Sequence, residues 1–319
     1  MPRLEMLIGL PGSGKDYYAK NLTGVIISSD DIRQELFNDV NDQSHNNEVF
    51  EEMYRRTITS LKRGEDVIYN ATNLVAKRRK HFLSRVAAAK IEDLIVVGTL
   101  IATPIEQCKI NNSSRERKVP EEVIERMVRA FTTPRIEEGF DDINLIFPYR
   151  DTHLYEDSYL YSIDEILEKN AIPHDNPHHK FDIDTHMRLA WHYLHYTGEK
   201  DGLLKEAGLL HDIGKFYVKN FKNSKGEKTD IAHYYSHNNV GAYLSLFVET
   251  EKQTGDGTLE CINQDLLTRA ALIGAHMDLY NFDEKLPKEK KIERLMKKYD
   301  NLHFVECLLK INMADKNSH

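Results

Sequence analysis

The sequence predicts an α/β domain, a parallel sheet with flanking helices, followed by an all-α domain. Three observations predict it. From residue 4 to about residue 147, short apolar runs alternate with amphipathic stretches, the pattern of strands joined by crossover helices. From about residue 174 the apolar period is helical and stays so to the end. Histidine follows the same division: twelve of fifteen lie at or after His174, which places metal or acid–base chemistry in the second half. The expected boundaries are 1–150, a connecting segment 151–173, and 174–319, and a chain of 319 residues is of two-domain size.

The first half is justified element by element. "LEMLIGL" is a strand that feeds a Gly-rich turn and the helical "DYYAKNL". "GVIISSD" is a second strand, followed by helical "DIRQELF" and by the longer helix "NEVFEEMYRRTITSLKRG", which Gly64 closes. "EDVIYNATN" is a third strand, "KRRKHFLSRVAAAK" a helix and "DLIVVGTLIAT" a fourth strand. Pro104 and Pro120 each open a further helix. "PRIEEGFDDINLIFPYRDTHLYEDSYLYS" contains a final strand and a connecting segment. The second half shows no β alternation, repeat or low-complexity tract.

Composition narrows the functions. The formal net charge of −8 excludes holding a polyanion by bulk field alone. Nucleic-acid contact would need local patches, and "KRRK" at 77–80 and "RERK" at 115–118 supply two; a solvated helix face accounts equally well for 77–80. Cys108, Cys261 and Cys307 are far apart and odd in number, which argues against a disulfide framework and for a reducing, cytoplasmic setting. No apolar run approaches the roughly 20 residues that span a bilayer, and no signal-peptide pattern opens the sequence, so no membrane partner is expected.

The turn after the first strand, "GLPGSGKD", matches a phosphate-binding loop, G-x-x-x-x-G-K-[ST], except at its last position. Backbone N–H groups of such a loop wrap phosphate oxygens, and the following helix adds its positive N-terminus. Gly12 and Gly14 let the backbone come close, and Lys15 reaches the outer phosphates. Asp16 stands where the pattern wants a magnesium-binding hydroxyl. The second strand ends at Asp30, with Arg33 three residues later. If a helix starts there, Asp30 caps it and Arg33 lies on the same side. An acid at this sheet edge can deprotonate an acceptor hydroxyl; a plain capping aspartate also explains it, and Asp31 competes for either role.

With "YNATNL" and "NNSSRERKVPEEVIERM" added, residues 4–147 resemble the kinase domain of phage-type polynucleotide kinases, an α/β P-loop kinase fold. The resemblance rests on GLPGSGK, "SSDDIR", "ATNL" followed by "KRR", and an Arg-bearing lid before "VP". It implies ATP and Mg2+ bound by Gly9, Pro11, Gly12, Ser13, Gly14, Lys15 and Asp16 with Arg115 and Arg117. It implies Asp30 as general base for a 5′-hydroxyl, Arg33 on the acceptor phosphate, and Arg115 and Arg117 as lid arginines. Three positions depart from the pattern: Asn111 replaces a lid arginine, Asn70 replaces the acid that usually ends the third strand, and Asp16 replaces the hydroxyl. The last two changes are opposite in charge, so the carboxylate reads as moved rather than added.

In the second half, "LLHDIGK" sets His211 beside Asp212, an imidazole and a hard oxygen suited to a divalent first-row ion. Two adjacent ligands cannot close a site. His186, His237, His276 and Asp315 each stand at an end of an apolar helical segment, where a bundle could converge them, and His233 competes with His237. His178 and His179 precede the helix and read as structural; His192 and His195 fall inside it and read as surface or satisfied core. The order resembles the HD phosphohydrolase superfamily, and "NPHHKFDIDTHMRLAW" with "LLHDIGK" resembles the HD domains attached to some tRNA nucleotidyltransferases. The resemblance implies one metal held by His186, His211, Asp212 and Asp315, and a second at His237 and His276. It favours His237 over His233, gives Lys215 a charge-supplying role, and implies ions such as Mn2+, Fe2+, Ni2+ or Co2+.

The two resemblances suggest opposite chemistry, one half adding phosphate and the other removing it. The two resemblances together imply an end-healing enzyme: a 5′-hydroxyl polynucleotide kinase joined to a phosphohydrolase of 2′,3′-cyclic or 3′-phosphate ends. RNA or DNA ends would be substrates, RNA first because cyclic ends need a 2′-hydroxyl, and an RNA ligase would take the products. The host cytosol of a phage is one setting for such chemistry. Two alternatives stand beside it: a mononucleotide kinase with a 5′-nucleotidase, and an HD hydrolase gated by ATP on an inactive kinase.

Overall fold

The computed structural model describes residues 1–148, 161–177, 180–249, 259–282 and 286–318, without the side chains of 259–262. His178, His179, Cys261 as a side chain and residues 149–160 lie outside the described residues. Two compact units divide the chain, Met1–Met127 with Pro134–Tyr155, and Val128–Thr133 with Glu156–His319.

In the first unit, five parallel strands form one sheet: β1 (Arg3–Ile8), β2 (Val25–Ser28), β3 (Val67–Asn70), β4 (Ile95–Ile101) and β5 (Asp142–Ile146). Their order is β2-β3-β1-β4-β5. Helices α1 (Lys15–Lys20), α2 (Ser29–Phe37), α3 (Asn46–Lys62), α4 (Ala76–Ala88), α5 (Ile105–Ser113) and α6 (Glu121–Arg129) connect them. The sheet and its crossovers are as the alternation predicts. Central β1 is buried from Leu4 to Ile8, as a strand covered on both faces must be. Its carboxyl end opens between β3 and β4, where the chain reverses its order across the sheet, the place at which such folds hold ligands.

Two local expectations change. The cap of α2 is Ser28, whose extended backbone lets its side chain accept from the Asp31 N–H at 3.3 Å. Asp30 already lies inside the first turn, so its carboxylate is not spent on capping. Nor is "KRRK" wholly a solvated face. Arg79 is buried and forms a two-pronged pair with Glu138, both contacts at 2.7 Å, while Lys77, Arg78 and Lys80 are exposed.

The second unit is mainly helical: α7 (Ile163–Lys169), α8 (Ile183–Tyr196), α9 (Gly202–Leu210), α10 (Lys215–Val218), α11 (His237–Ser245), α12 (Leu259–Ala275), α13 (Lys288–Tyr299) and α14 (Leu302–Lys316). A two-stranded antiparallel hairpin, β6 (Asn220–Lys222) and β7 (Lys228–His233), interrupts the all-α expectation. Its turn, "NSKGE", uses Gly226 at φ +82°, a conformation free of cost only for glycine. Its strands are short and mostly polar, so no apolar alternation announces them.

The glycine of "HDIGK" has a packing reason. A Cβ at Gly214 would sit 2.0 Å from the His237 carbonyl oxygen and 2.6 Å from the Gly241 nitrogen. Backbone therefore meets backbone where α10 crosses α11, which draws His237 to the His211–Asp212 pair. Buried Arg269 reinforces this end of the unit: it donates to Glu206 at 2.8 Å, to the Ser245 carbonyl at 2.7 Å and to the Val248 carbonyl at 2.6 Å. Among the described residues, no helix is long and apolar enough to cross a membrane.

Candidate functional sites

The loop after β1 is tied to its neighbours through the backbone. Gly9 N–H donates to Thr72 O at 3.0 Å, and Thr103 Oγ1 donates to Ser13 O at 2.9 Å. Gly12 and Gly14 have φ of +79° and +93°, and a Cβ at Gly12 would lie 2.3 Å from the Cys108 carbonyl oxygen. Both glycines are thus required by conformation, and Gly12 by close approach as well. Lys15 Nζ donates to Gly9 O at 2.9 Å and Leu10 O at 2.7 Å, and burial pushes its pKa down to about 8. Asn111, at the departed lid position, donates to Gly12 O at 2.8 Å.

Two acids face this loop, and each carries lid arginine. Asp16 Oδ1 accepts from Asn70 Nδ2 at 2.9 Å, and its Oδ2 pairs with Arg115 at 3.1 Å. Asp30 pairs with Arg33 at 3.3 Å through one oxygen and with Arg117 at 2.5 Å through the other. Arg33 is itself buried and held by Asn46 at 2.7 Å. The unit thus gathers Lys15, Asp16, Asp30, Arg33, Arg115 and Arg117 around the loop, with Asp16, Asp30 and Arg115 all near enough to act on the Lys15 charge. It presents a phosphate-sized backbone loop, one acid flanked by an amide, and another flanked by two guanidinium groups.

In the second unit, six buried side chains converge: His186 in the first turn of α8, His211 and Asp212 after α9, His237 at the start of α11, His276 after α12, and Asp315 near the end of α14. They form two triads, His186–His211–Asp315 and Asp212–His237–His276, each with ligand atoms within 4.8 Å of one another. Within the first, His186 Nε2 lies 3.2 Å from His211 Nε2 and 3.1 Å from Asp315 Oδ1. Within the second, His237 Nε2 lies 3.2 Å from both His276 Nε2 and Asp212 Oδ1. Asp212 turns its other oxygen to His186 and His211, 3.3 Å from each. One carboxylate therefore faces both triads.

The opposite edge of each ring settles what the cluster can hold. His211 Nδ1 faces Gly208 O at 2.8 Å, His237 Nδ1 faces Tyr234 O at 2.9 Å, His276 Nδ1 faces Ile273 O at 2.7 Å, and His186 Nδ1 faces Ser318 O at 3.2 Å. A carbonyl only accepts, so the Nδ1 atoms carry protons and the Nε2 atoms point inward as the ligand atoms. Nε2 atoms facing each other at 3.2 Å repel unless a cation, proton or metal, lies between them. The donor set, imidazole with carboxylate in a buried pocket, fits divalent metal. Burial opposes charge on His211, yet Asp212 and Asp315 outweigh it and push the ring up to about 10; burial, with His237 and His211 nearby, pushes His276 down to about 3.

Around the cluster lie Lys215, which the sequence singled out, and residues that it did not. Lys215 Nζ contacts Asp212 Oδ2 at 2.6 Å and donates to His174 Nε2 at 3.2 Å, while His174 Nδ1 donates to Phe181 O at 2.6 Å. Tyr280 donates to Asp315 Oδ2 at 2.8 Å. His174 stands alone in its motif, and Tyr280 and Ser318 lie in segments without chemical pattern, so nothing in the sequence marks them. His233 sits apart on β7, bonded to Thr229 Oγ1 at 3.1 Å, and His192 and His195 are exposed on α8.

Family models match a stretch of each half of the chain. Residues 4–134 match the AAA_33 model, an AAA domain, and residues 183–303 match the HD domain model. A curated relative, the L-seryl-tRNA(Sec) kinase of Methanococcus maripaludis, is 26% identical over 254 residues, covering 71% of this chain and 93% of the relative. A solved chain of the Pnkp1/Rnl/Hen1 complex shares 20% identity with a TM-score of 0.30; the match covers 50% of this chain and about half, 52%, of that one. Every residue of the loop set lies inside the first matched region, and five of the six cluster residues lie inside the second. Asp315 falls beyond it, and α14 returns it to His186. The chain thus carries two regions that match family models, an AAA domain over residues 4–134 with its phosphate-binding loop and an HD domain over residues 183–303.

Proposed function

We propose that the protein heals polynucleotide ends, RNA ends foremost: the kinase domain phosphorylates a 5′-hydroxyl from ATP, and the HD domain removes a 2′,3′-cyclic or 3′-terminal phosphate. The observation that carries this is Asp30, a half-buried acid outside the capping role and flanked by Arg33 and Arg117 beside the phosphate loop. In this reading Asp30 Oδ accepts the proton of the acceptor hydroxyl, the freed oxygen attacks the γ-phosphorus, and ADP leaves. Lys15 and Arg115 neutralise the transferred phosphoryl, and Arg33 anchors the acceptor strand. Mg2+ would meet one carboxylate, Asp16, with Asn70 holding that carboxylate in place.

In the HD domain, His186, His211, Asp212 and Asp315 would hold one metal, and His237 and His276 with Asp212 a second. Bound metal supplies Lewis acidity toward the phosphate ester and the water that cleaves it. Lys215 stands beside Asp212 to meet a phosphate oxygen. A relative that is a tRNA kinase supports an RNA acceptor. The products, a 5′-phosphate and a 3′-hydroxyl, are the ends an RNA ligase joins.

The test is label transfer from γ-labelled ATP to a 5′-hydroxyl RNA, run beside release of phosphate from cyclic-ended RNA. Lys15→Ala should abolish the first and spare the second; His211→Ala should do the reverse. Activity on mononucleotides with none on oligonucleotides would refute the proposal in favour of nucleotide metabolism.

A further inference from the structure

We propose that the β6–β7 hairpin is a single-stranded nucleic-acid arm that delivers a 3′ end to the HD cluster. The inference rests on the polynucleotide reading above, and extends it to residues outside both matched geometries' donor sets. The chain places the arm directly on the site. Lys215, which touches Asp212, lies five residues before the start of β6, and His237 lies four residues after the end of β7. At the base of the hairpin, His233 pairs with Asn220.

Its composition is unusual for an acidic protein. Lys219, Lys222, Lys225 and Lys228 recur at three-residue spacing, against Glu227 and Asp230. Lys219 is paired with Asp175 at 2.7 Å, and Glu227 is engaged by Asn223. Among the described residues, Lys222, Lys225 and Lys228 form no ion pair. The register sets Lys222 directly opposite Lys228. Like charges directly opposed destabilise a strand pair, so an isolated two-stranded ribbon gains nothing from this choice. A phosphate between them converts the repulsion into binding. Aromatic rings accompany the lysines: Phe221 and Tyr235 are 44% and 45% exposed, and Tyr235 stacks within 5° of parallel on His233. Lysines for phosphates with exposed rings for bases are the two elements of single-strand recognition. A polar ligand such as a mononucleotide would need neither a ribbon of lysines nor two stacking rings.

Full-length protein is tested with a single-stranded RNA decamer carrying 4-thiouridine at internal positions upstream of its 3′ end, and with DNA of the same sequence. Irradiation should cross-link the RNA within residues 219–235. Replacing Lys222, Lys225 and Lys228 together by serine should weaken binding at least tenfold and make the salt dependence shallower by about 2 in log–log slope, roughly 0.7 per lost phosphate contact. The pair Phe221→Ala and Tyr235→Ala should weaken binding by about fivefold or more at unchanged slope. Metal content equal to wild type reports an intact cluster in both variants. Cross-links confined to other segments would overturn the proposal, as would equal competition by polyglutamate of the same charge. Cross-linking here with no hydrolysis of any 3′-phosphorylated RNA would leave the arm standing and sink the end-healing reading; hydrolysis without cross-linking here would do the opposite.

Discussion

Asn70 Nδ2 donates a 2.9 Å hydrogen bond to Asp16 Oδ1. The two residues that depart from the phosphate-loop kinase pattern on its metal side are therefore in direct contact across 54 positions of sequence. An amide can hold a carboxylate where a second carboxylate would repel it. Asp16→Ser and Asn70→Asp should each lower kcat by about 10–100-fold, the range for disturbing a metal's surroundings. Asp16→Ser with Asn70→Asp restores the ordinary arrangement of hydroxyl and acid, and should recover most of the loss. Steady-state kinetics on the four proteins checks this, and purely additive losses would show that the two positions act independently.

The pairs Arg115–Asp16 and Arg117–Asp30 are partly exposed, and such pairs contribute little to stability. Removing either arginine should leave the melting temperature almost unchanged. The effect on chemistry should be much larger, because an arginine facing a transferring phosphoryl is worth orders of magnitude in rate. Arg115→Ala should reduce kcat at least 100-fold. A rate loss below about threefold would take Arg115 out of the site.

Metal removal should change how the HD cluster responds to pH. In the metal-free protein His211 is raised to about 10, so its contribution to stability is full below about pH 6.5 and is lost as pH rises toward 10. His276 is lowered to about 3, so its unfolded form takes up a proton first and stability falls as pH drops from about 6.5 toward 3. Chelated protein should melt highest near pH 6–7 and decline on both sides. Protein loaded with Mn2+ should lose the alkaline decline, because metal replaces the proton at His211. Thermal melts across pH 5–9, with and without chelator, measure both curves.

The parts legible in sequence are those with a local pattern. Strand β1, its glycine loop and Lys15 share one short stretch, and the cluster histidines each sit at the end of an apolar helix. Residues that act through distant partners left no such trace. Glu138 meets Arg79 across 59 positions, and His174 meets Lys215 across 41. Hairpin β6–β7 escaped because both strands are polar, so burial leaves no period to detect. Asp30 looked like a cap because it begins an acidic pair, but the extended backbone at Ser28 takes that role.

Arg269 is the sharpest case of a residue whose importance the sequence hides. It is fully buried in α12, and its partner Glu206 is 63 positions away in α9. Beyond that pair it donates to the carbonyl of Ser245, which ends α11, and to those of Val248 and Glu249 just after it. Arg269→Ala would strand a buried carboxylate and three carbonyls together, and should cost about 3–5 kcal/mol. Arg269→Met with Glu206→Gln removes both charges and keeps volume, so it should cost less than Arg269→Ala alone. Because α11 begins with His237, the loss should also loosen the Asp212–His237–His276 triad. Chemical denaturation gives the stability of each variant, and metal content per chain gives the triad; equal stability of Arg269→Ala and the double variant would show that the buried charge carries none of the cost.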